Sequence, residues 1–131
     1  FLFSYFKGEE WRTQVLTHQL LQTYFKNSPE GLPGNDDTGT MSAWALFSMM
    51  GFYPDCPGEP AYTLTSPVFD KIILHLDEKQ WGRDKLVIET LRSNPNAVRI
   101  EKIEVGGKPW RQYRISHNDL VKAGTLKFTL K

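Results

Sequence analysis

The sequence holds 131 residues with a formal net charge of +1 and 13% aromatic side chains, enough for one domain, or one piece of a larger one, with a sizeable core. Its Lys and Arg residues are matched by Asp and Glu and form no basic run, which argues against a nucleic-acid partner. No stretch approaches the roughly 18 consecutive apolar residues of a membrane span, and Cys56 is the single cysteine, so no internal disulfide can form.

The chain opens on Phe1-Leu2-Phe3-Ser4-Tyr5-Phe6, apolar from the first residue and without an initiating Met. That start reads as the cut end of a longer polypeptide, and aromatics so exposed need a cover. Residues 9–26 read as a helix. Glu9 and Glu10 sit in its first turn, where acids complement the dipole, and Trp11, Val15, Leu16, Leu20, Tyr24 and Phe25 recur at three- and four-residue spacing. Asn27-Ser28-Pro29 stops it. His18 lies on this helix without a partner motif and reads as a satisfied or solvent-facing imidazole.

Residues 31–44, Gly-Leu-Pro-Gly-Asn-Asp-Asp-Thr-Gly-Thr-Met-Ser-Ala-Trp, run from a loop rich in Gly, Pro, Asn and Asp into an apolar helix. Extended backbone through Asn35, Asp36 and Asp37 would aim Asn35 and Asp37 one way and Asp36 the other. Two readings fit. Either these side chains satisfy backbone donors at a helix entry, or Asn35 and Asp37 converge on a hard cation or an activated water. An EF-hand is excluded, because a frame starting at Asn35 places Gly39 and Leu46 where that loop needs acids. Thr40 is the expected N-cap of a helix through about Met50, so apolar all round that burial on most sides follows. Trp44 reads as core, Gly51 as its C′ residue and Pro54 as a bar to continuation. With the preceding helix this forms a hairpin.

Pro54, Pro57, Gly58 and Pro60 mark a linker over 54–61, after which the apolar period becomes two. Strands are expected at 72–76, around 86–88 and at 98–105. A parity switch between Val98/Ile100 and Ile103/Val105 predicts a β-bulge near Glu101 and Lys102. Gly106-Gly107 signals a hairpin into a strand over 111–115. Ser116 and Asp119 announce a short helix ending at Gly124, so the His117-Asn118-Asp119 triplet is a capped turn rather than a metal site or triad. Residues 126–130 form the last strand. The fold class is α+β, with helices at 1–53, the acidic loop at 31–40, the linker at 54–61 and a small antiparallel β unit at 62–131.

Three blocks, the segment Gly34-Asn35-Asp36-Asp37-Thr38-Gly39-Thr40-Met41-Ser42-Ala43-Trp44, the turn Gly51-Phe52-Tyr53-Pro54 and Ser66-Pro67-Val68-Phe69-Asp70-Lys71, occur in order. Together they resemble the C-terminal part of glycoside hydrolase family 92, the calcium-dependent exo-α-mannosidases, whose motif is G-[ND]-[DE]-D-x-G-x-M-S-A-W. The similarity extends upstream through Trp11-Arg12-Thr13-Gln14 and, more weakly, through 97–126. The resemblance implies that the hairpin closes an (α/α)6-type barrel, with the loop at one barrel end. It also implies hydrolysis of terminal α-mannosides, including N-glycans, with inversion. Inversion uses one carboxylic acid at the leaving oxygen and one carboxylate activating water opposite. The family's base corresponds to Asp37, beside a Ca2+ ion that Asp37 contacts directly or through water. At Asn35 some members carry a second Asp, and an amide there can orient water but cannot take its proton. Asp36 is left to cap backbone or pair with a cation. None of Glu9, Glu10 or Glu30 matches the family's general acid, so the remainder of the same enzyme must supply it. The chain on its own is then expected to be inert and to bind calcium weakly. A secreted, periplasmic or cell-surface location goes with the family. The competing expectation is a non-catalytic carbohydrate-binding or structural interaction module in which the loop is architecture alone.

Overall fold

A computed structural model describes residues 1–131. A 3-10 turn at Leu2–Tyr5 leads into helix α1 (Glu10–Tyr24), and a second 3-10 turn at Asp37–Gly39 leads into helix α2 (Thr40–Met50). Strands β1 (Phe52–Tyr53), β2 (Ala61–Leu64), β3 (Lys71–His75), β4 (Lys85–Arg92), β5 (Ile100–Val105), β6 (Lys108–Trp110), β7 (Arg114–Ser116) and β8 (Thr125–Leu130) follow. Two short helices, α3 (Glu78–Trp81) and α4 (His117–Ala123), interrupt them. No helix is long and apolar enough to cross a membrane. The class is α+β.

The strands form two sheets, β1-β2-β7 and β3-β4-β8-β5-β6. The expectation of a purely antiparallel unit is corrected here, because β4 and β8 run parallel at the centre of the larger sheet, Ile88 opposite Leu126 and Thr90 opposite Phe128. A parallel pair needs a long crossover, and the chain between Arg92 and Thr125, with three strands and α4, provides it. Period-two patterning reports which face is buried and is silent about direction. The expected strand over 111–115 also divides differently. Lys108–Trp110 completes the Gly106-Gly107 hairpin against β5, whereas Arg114–Ser116 crosses to the smaller sheet and pairs with β2.

Local signals elsewhere match the structure. The register shifts between Ile100 and Lys102, and this bulge brings Ile100, Ile103 and Val105 into one core despite their different parity. Gly106 and Gly107 both have positive φ, 57° and 75°, as a two-residue turn matched to strand twist requires. Ser116 Oγ accepts the Asp119 amide at 3.0 Å and donates to its carboxylate at 2.7 Å, so the His117-Asn118-Asp119 triplet is a capped helix start. Gly51 ends α2 at φ 91°, and a Cβ there would meet Pro67 Cγ at 2.6 Å.

The core runs from the end of α2 to the last strand, with Met50 and Phe52 at its near end. Ile88, Leu126, Phe128 and Leu130 of the large sheet are fully buried together with Leu64 of the small one, and Ile115 and Leu120 are nearly so. On the outer face of the large sheet, Lys71, Glu89, Lys127 and Glu104 stand side by side on four adjacent strands. Alternating charges in such a row attract across every strand pair.

The helices are the reverse of this. α1 turns Thr13, Gln14, Thr17 and Leu21 inward, while Trp11, Leu16, Leu20 and Tyr24 of its apolar stripe face out. Gln14 is 1% exposed, and its Oε1 accepts the Ile100 amide of β5 at 2.8 Å. His18 Nε2 meets the Ser66 carbonyl at 3.0 Å. Below it, the Arg92 guanidinium donates to the carbonyls of Pro67 and Val68 and to Asp70. α2 buries only Ala45, Ser48 and Met50, with Leu46 55% exposed. The expected burial of α2 on most sides is therefore not achieved within this chain. Leu2, Tyr5 and Phe6 are exposed as well.

Candidate active site

The loop between α1 and α2 is built from local constraints. The Phe25 amide closes α1 on Leu21, and Lys26 and Gly31 exchange the chain's next turn through the Lys26 amide and the Gly31 carbonyl at 2.9 Å. Gly31 is required for space, since a Cβ would lie 1.9 Å from the Lys26 carbonyl oxygen. At the loop's end the backbone is tighter still. Thr38 has φ 58° and is the only non-glycine residue of the chain with positive φ; Gly39 follows at 77°. A left-handed threonine costs on the order of 1–3 kcal/mol and persists only where its surroundings hold it.

What holds it is the set of side chains around Asp37. Asp36 Oδ1 accepts the amides of Met41 at 2.8 Å and Ser42 at 3.0 Å, and the Ser42 hydroxyl donates to Oδ2. Asp36 therefore caps α2, and Thr40, the expected N-cap, is the first helical residue instead, with no side chain from Gly39 to cap it. The Ser42 hydroxyl and amide hold the Asp36 carboxyl below its ordinary pKa. Thr40 Oγ1 and Thr38 Oγ1 turn back on the Asp37 main-chain carbonyl, at 3.0 and 2.6 Å. The Asp37 backbone is thus gripped while its carboxylate is exposed and accepts no hydrogen bond from the chain. Asn35 is exposed as well. The extended alternation that would aim Asn35 and Asp37 together does not occur, because Asp36 bends the chain at φ −93°, ψ 52° and Asp37 begins a 3-10 turn.

Two features were not legible in advance. The left-handed Thr38 has no signal beyond lying between Asp37 and Gly39. The hydroxyl pair on Asp37 depends on that conformation, although a Thr-x-Thr spacing around a tight turn is compatible with it.

A hollow of about 420 Å3 opens beside the loop, lined by Leu20, Tyr24, Phe25, Pro33, Thr40, Met41, Trp44 and Tyr53. Trp44 stacks on Phe25 with centroids 5.5 Å apart. Asp37 is not among its walls and no charged group is, so it offers a sugar's hydroxyls almost nothing to bond. Nowhere does the chain gather three or more His, Cys, Asp or Glu side chains able to hold a metal. Calcium takes about six to eight oxygens, and the loop offers an ion at most the free Asp37 carboxylate and the Asn35 amide oxygen. The remaining carboxylates near the N-terminus are committed elsewhere, Glu9 to Arg12 and Glu10 to the Gly8 amide.

The solved structures that this chain resembles are glycoside hydrolases. It superposes on the family GH92 α-mannosidase BT3965 of Bacteroides thetaiotaomicron, in complex with mannoimidazole, with a TM-score of 0.87 at 26% identity. That match covers 99% of this chain and 16% of the mannosidase. The GH92 inverting mannosidase BT2199 of the same organism matches at TM-score 0.80 and 32% identity, over 93% of this chain and 16% of its own. Among curated proteins, an uncharacterized secreted glycosidase of Arthroderma benhamiae is 29% identical over 131 residues, 99% of this chain and 16% of that protein. The model of the glycosyl hydrolase family 92 catalytic domain matches residues 1–131, and the chain belongs to that family. It spans about one sixth of the length of the relatives it matches.

Proposed function

We propose that this chain is the part of an inverting exo-α-mannosidase that supplies the general base, Asp37, to an active site completed by the rest of the catalytic domain. The supporting observation is the division of labour at the loop. Asp36 is consumed by α2, whereas the neighbouring Asp37 has a held backbone and a free, exposed carboxylate. In an inverting reaction such a carboxylate takes a proton from the water that attacks the anomeric carbon. A partner acid about 6.5–9.5 Å away protonates the leaving oxygen. Asn35 orients that water without taking its proton. The acid comes from outside this chain, because Glu9 and Glu10 are engaged and Glu30 lies in no matching motif.

A calcium ion would supply positive charge to the site; from this chain Asp37 would be its one carboxylate ligand, and the other ligands would come from elsewhere in the domain. The substrate is a terminal α-mannoside, as on an N-glycan. The outward faces of α1 and α2 are the end of an (α/α)6-type barrel, and the apolar hollow takes the side chains of its neighbouring helices. The whole protein is secreted, to the periplasm, the cell surface or the medium. This chain alone is inactive. In the complete domain, Asp37→Asn is expected to abolish mannose release with the melting temperature almost unmoved, since no hydrogen bond within this chain depends on that carboxylate. Retention of full activity would favour the competing reading, a carbohydrate-binding or structural module with no catalytic part.

A further inference from the structure

We propose that Asp36, together with the Thr40 hydroxyl, is a positioning device that sets the direction in which the Asp37 carboxylate leaves the loop. The inference rests on the reading of Asp37 as base and deepens it. Asp36 accepts three donors from one turn of α2, the Met41 and Ser42 amides and the Ser42 hydroxyl, so the residue before Asp37 is tied to the helix. On the other side, Thr40 and Thr38 donate to the Asp37 carbonyl, and Thr38 occupies the chain's only left-handed non-glycine position. The backbone is held on both sides of Asp37, and only its side-chain torsions stay free. A base must lie within hydrogen-bond reach of the proton it removes, and displacement by about 1 Å costs on the order of a hundredfold in rate. With its two oxygens bonded to α2, Asp36 acts through Asp37 and not on the sugar.

This role differs from plain helix capping in its kinetics. Loss of a cap that only stabilises the fold lowers the melting temperature and leaves the kcat of the folded enzyme alone. Loss of a positioning group lowers kcat and kcat/KM together, because the interaction it protects is made in the transition state. The test uses the complete catalytic domain and an α-linked mannobiose. Asp36→Ala is expected to lower kcat about a hundredfold with KM unchanged. Asp36→Asn, which keeps an oxygen for the two amides, recovers most of that loss. Thr40→Val, nearly isosteric and at an exposed site, gives a smaller drop in the same parameter. Unchanged kcat in Asp36→Ala, with Asp37→Asn inactive, overturns the proposal and leaves the base intact. Should Asp36→Ala not fold, Thr40→Val decides, and an unchanged kcat there overturns the proposal. Full activity in Asp37→Asn removes the base reading and this one with it.

Discussion

The two halves of the chain solve opposite problems. From β2 onward the sheets supply most of the core, joined by Met50 of α2 and Phe52 of β1, with Phe128, Leu126 and Ile88 fully buried and a row of alternating Lys and Glu turned to the outer face. Before β1, the helices bury Thr13, Gln14 and Thr17 and turn Leu16, Leu20, Tyr24 and Leu46 outward. An apolar face of that kind is stable in water only under a cover. The difference teaches that the β half carries most of the core, although Phe69, Ile73 and Leu91 stay exposed on it, whereas the helical half leaves most of its apolar stripe uncovered, as the proposed barrel wall requires. The acidic loop hangs from the unfinished wall, yet its own hydrogen bonds are all local. The loop's conformation is thereby set by its own residues, as the proposed positioning of Asp37 requires.

The comparison breaks first at the closed core. Phe128→Ala in the complete domain is expected to cost about 3–5 kcal/mol, through lost burial and the cavity left behind, seen as a lower denaturant midpoint. Leu46→Ser sharpens the contrast, because Leu46 is 55% exposed in this chain. If neighbouring helices cover it, the complete domain loses about 2–4 kcal/mol, as for a buried leucine. A cost within about 0.5 kcal/mol would mark a true solvent face. The joint between the halves comes next. Gln14→Leu leaves the Ile100 amide of β5 buried without its acceptor, at an expected cost of about 1–3 kcal/mol, with faster hydrogen exchange at Ile100.

The smallest effect is a pH dependence at the same joint. Burial, with the Arg92 charge adding to it, lowers the His18 pKa below its ordinary 6.5, partly offset by the Ser66 carbonyl. The folded state therefore favours neutral imidazole. Its contribution to stability is present in full above the unfolded pKa and is lost as pH falls through the lower folded one, since the unfolded chain takes the proton first. The melting temperature should decline below about pH 6.5, and His18→Gln, which keeps a donor for Ser66, should flatten that decline.

What the sequence made legible follows the same division between local and non-local. The Ser116 cap, the Gly106-Gly107 hairpin, the bulge between Ile100 and Lys102 and the stop at Gly51 each depend on residues within a few positions, and all are present. The parallel pairing of β4 with β8 depends on partners almost forty residues apart, and no period reveals it. The outward rotation of α1 is also non-local, because Gln14 is drawn inward by Ile100, 86 residues away. At the loop, capping by Asp36 was legible from its chemistry. The bend at Asp36 that replaces the extended alternation was not, nor was the left-handed Thr38 that follows, a conformation that propensity disfavours.

The central claim is that the free carboxylate at position 37 activates the attacking water. The most direct measurement is turnover of the complete domain carrying Asp37→Ala, with and without added azide, on an α-linked mannobiose. Removing the base should stop mannose release, and azide, which needs no deprotonation, should restore turnover by attacking from the vacated side to give the β-mannosyl azide. Undiminished mannose release by Asp37→Ala, without azide, would contradict the account.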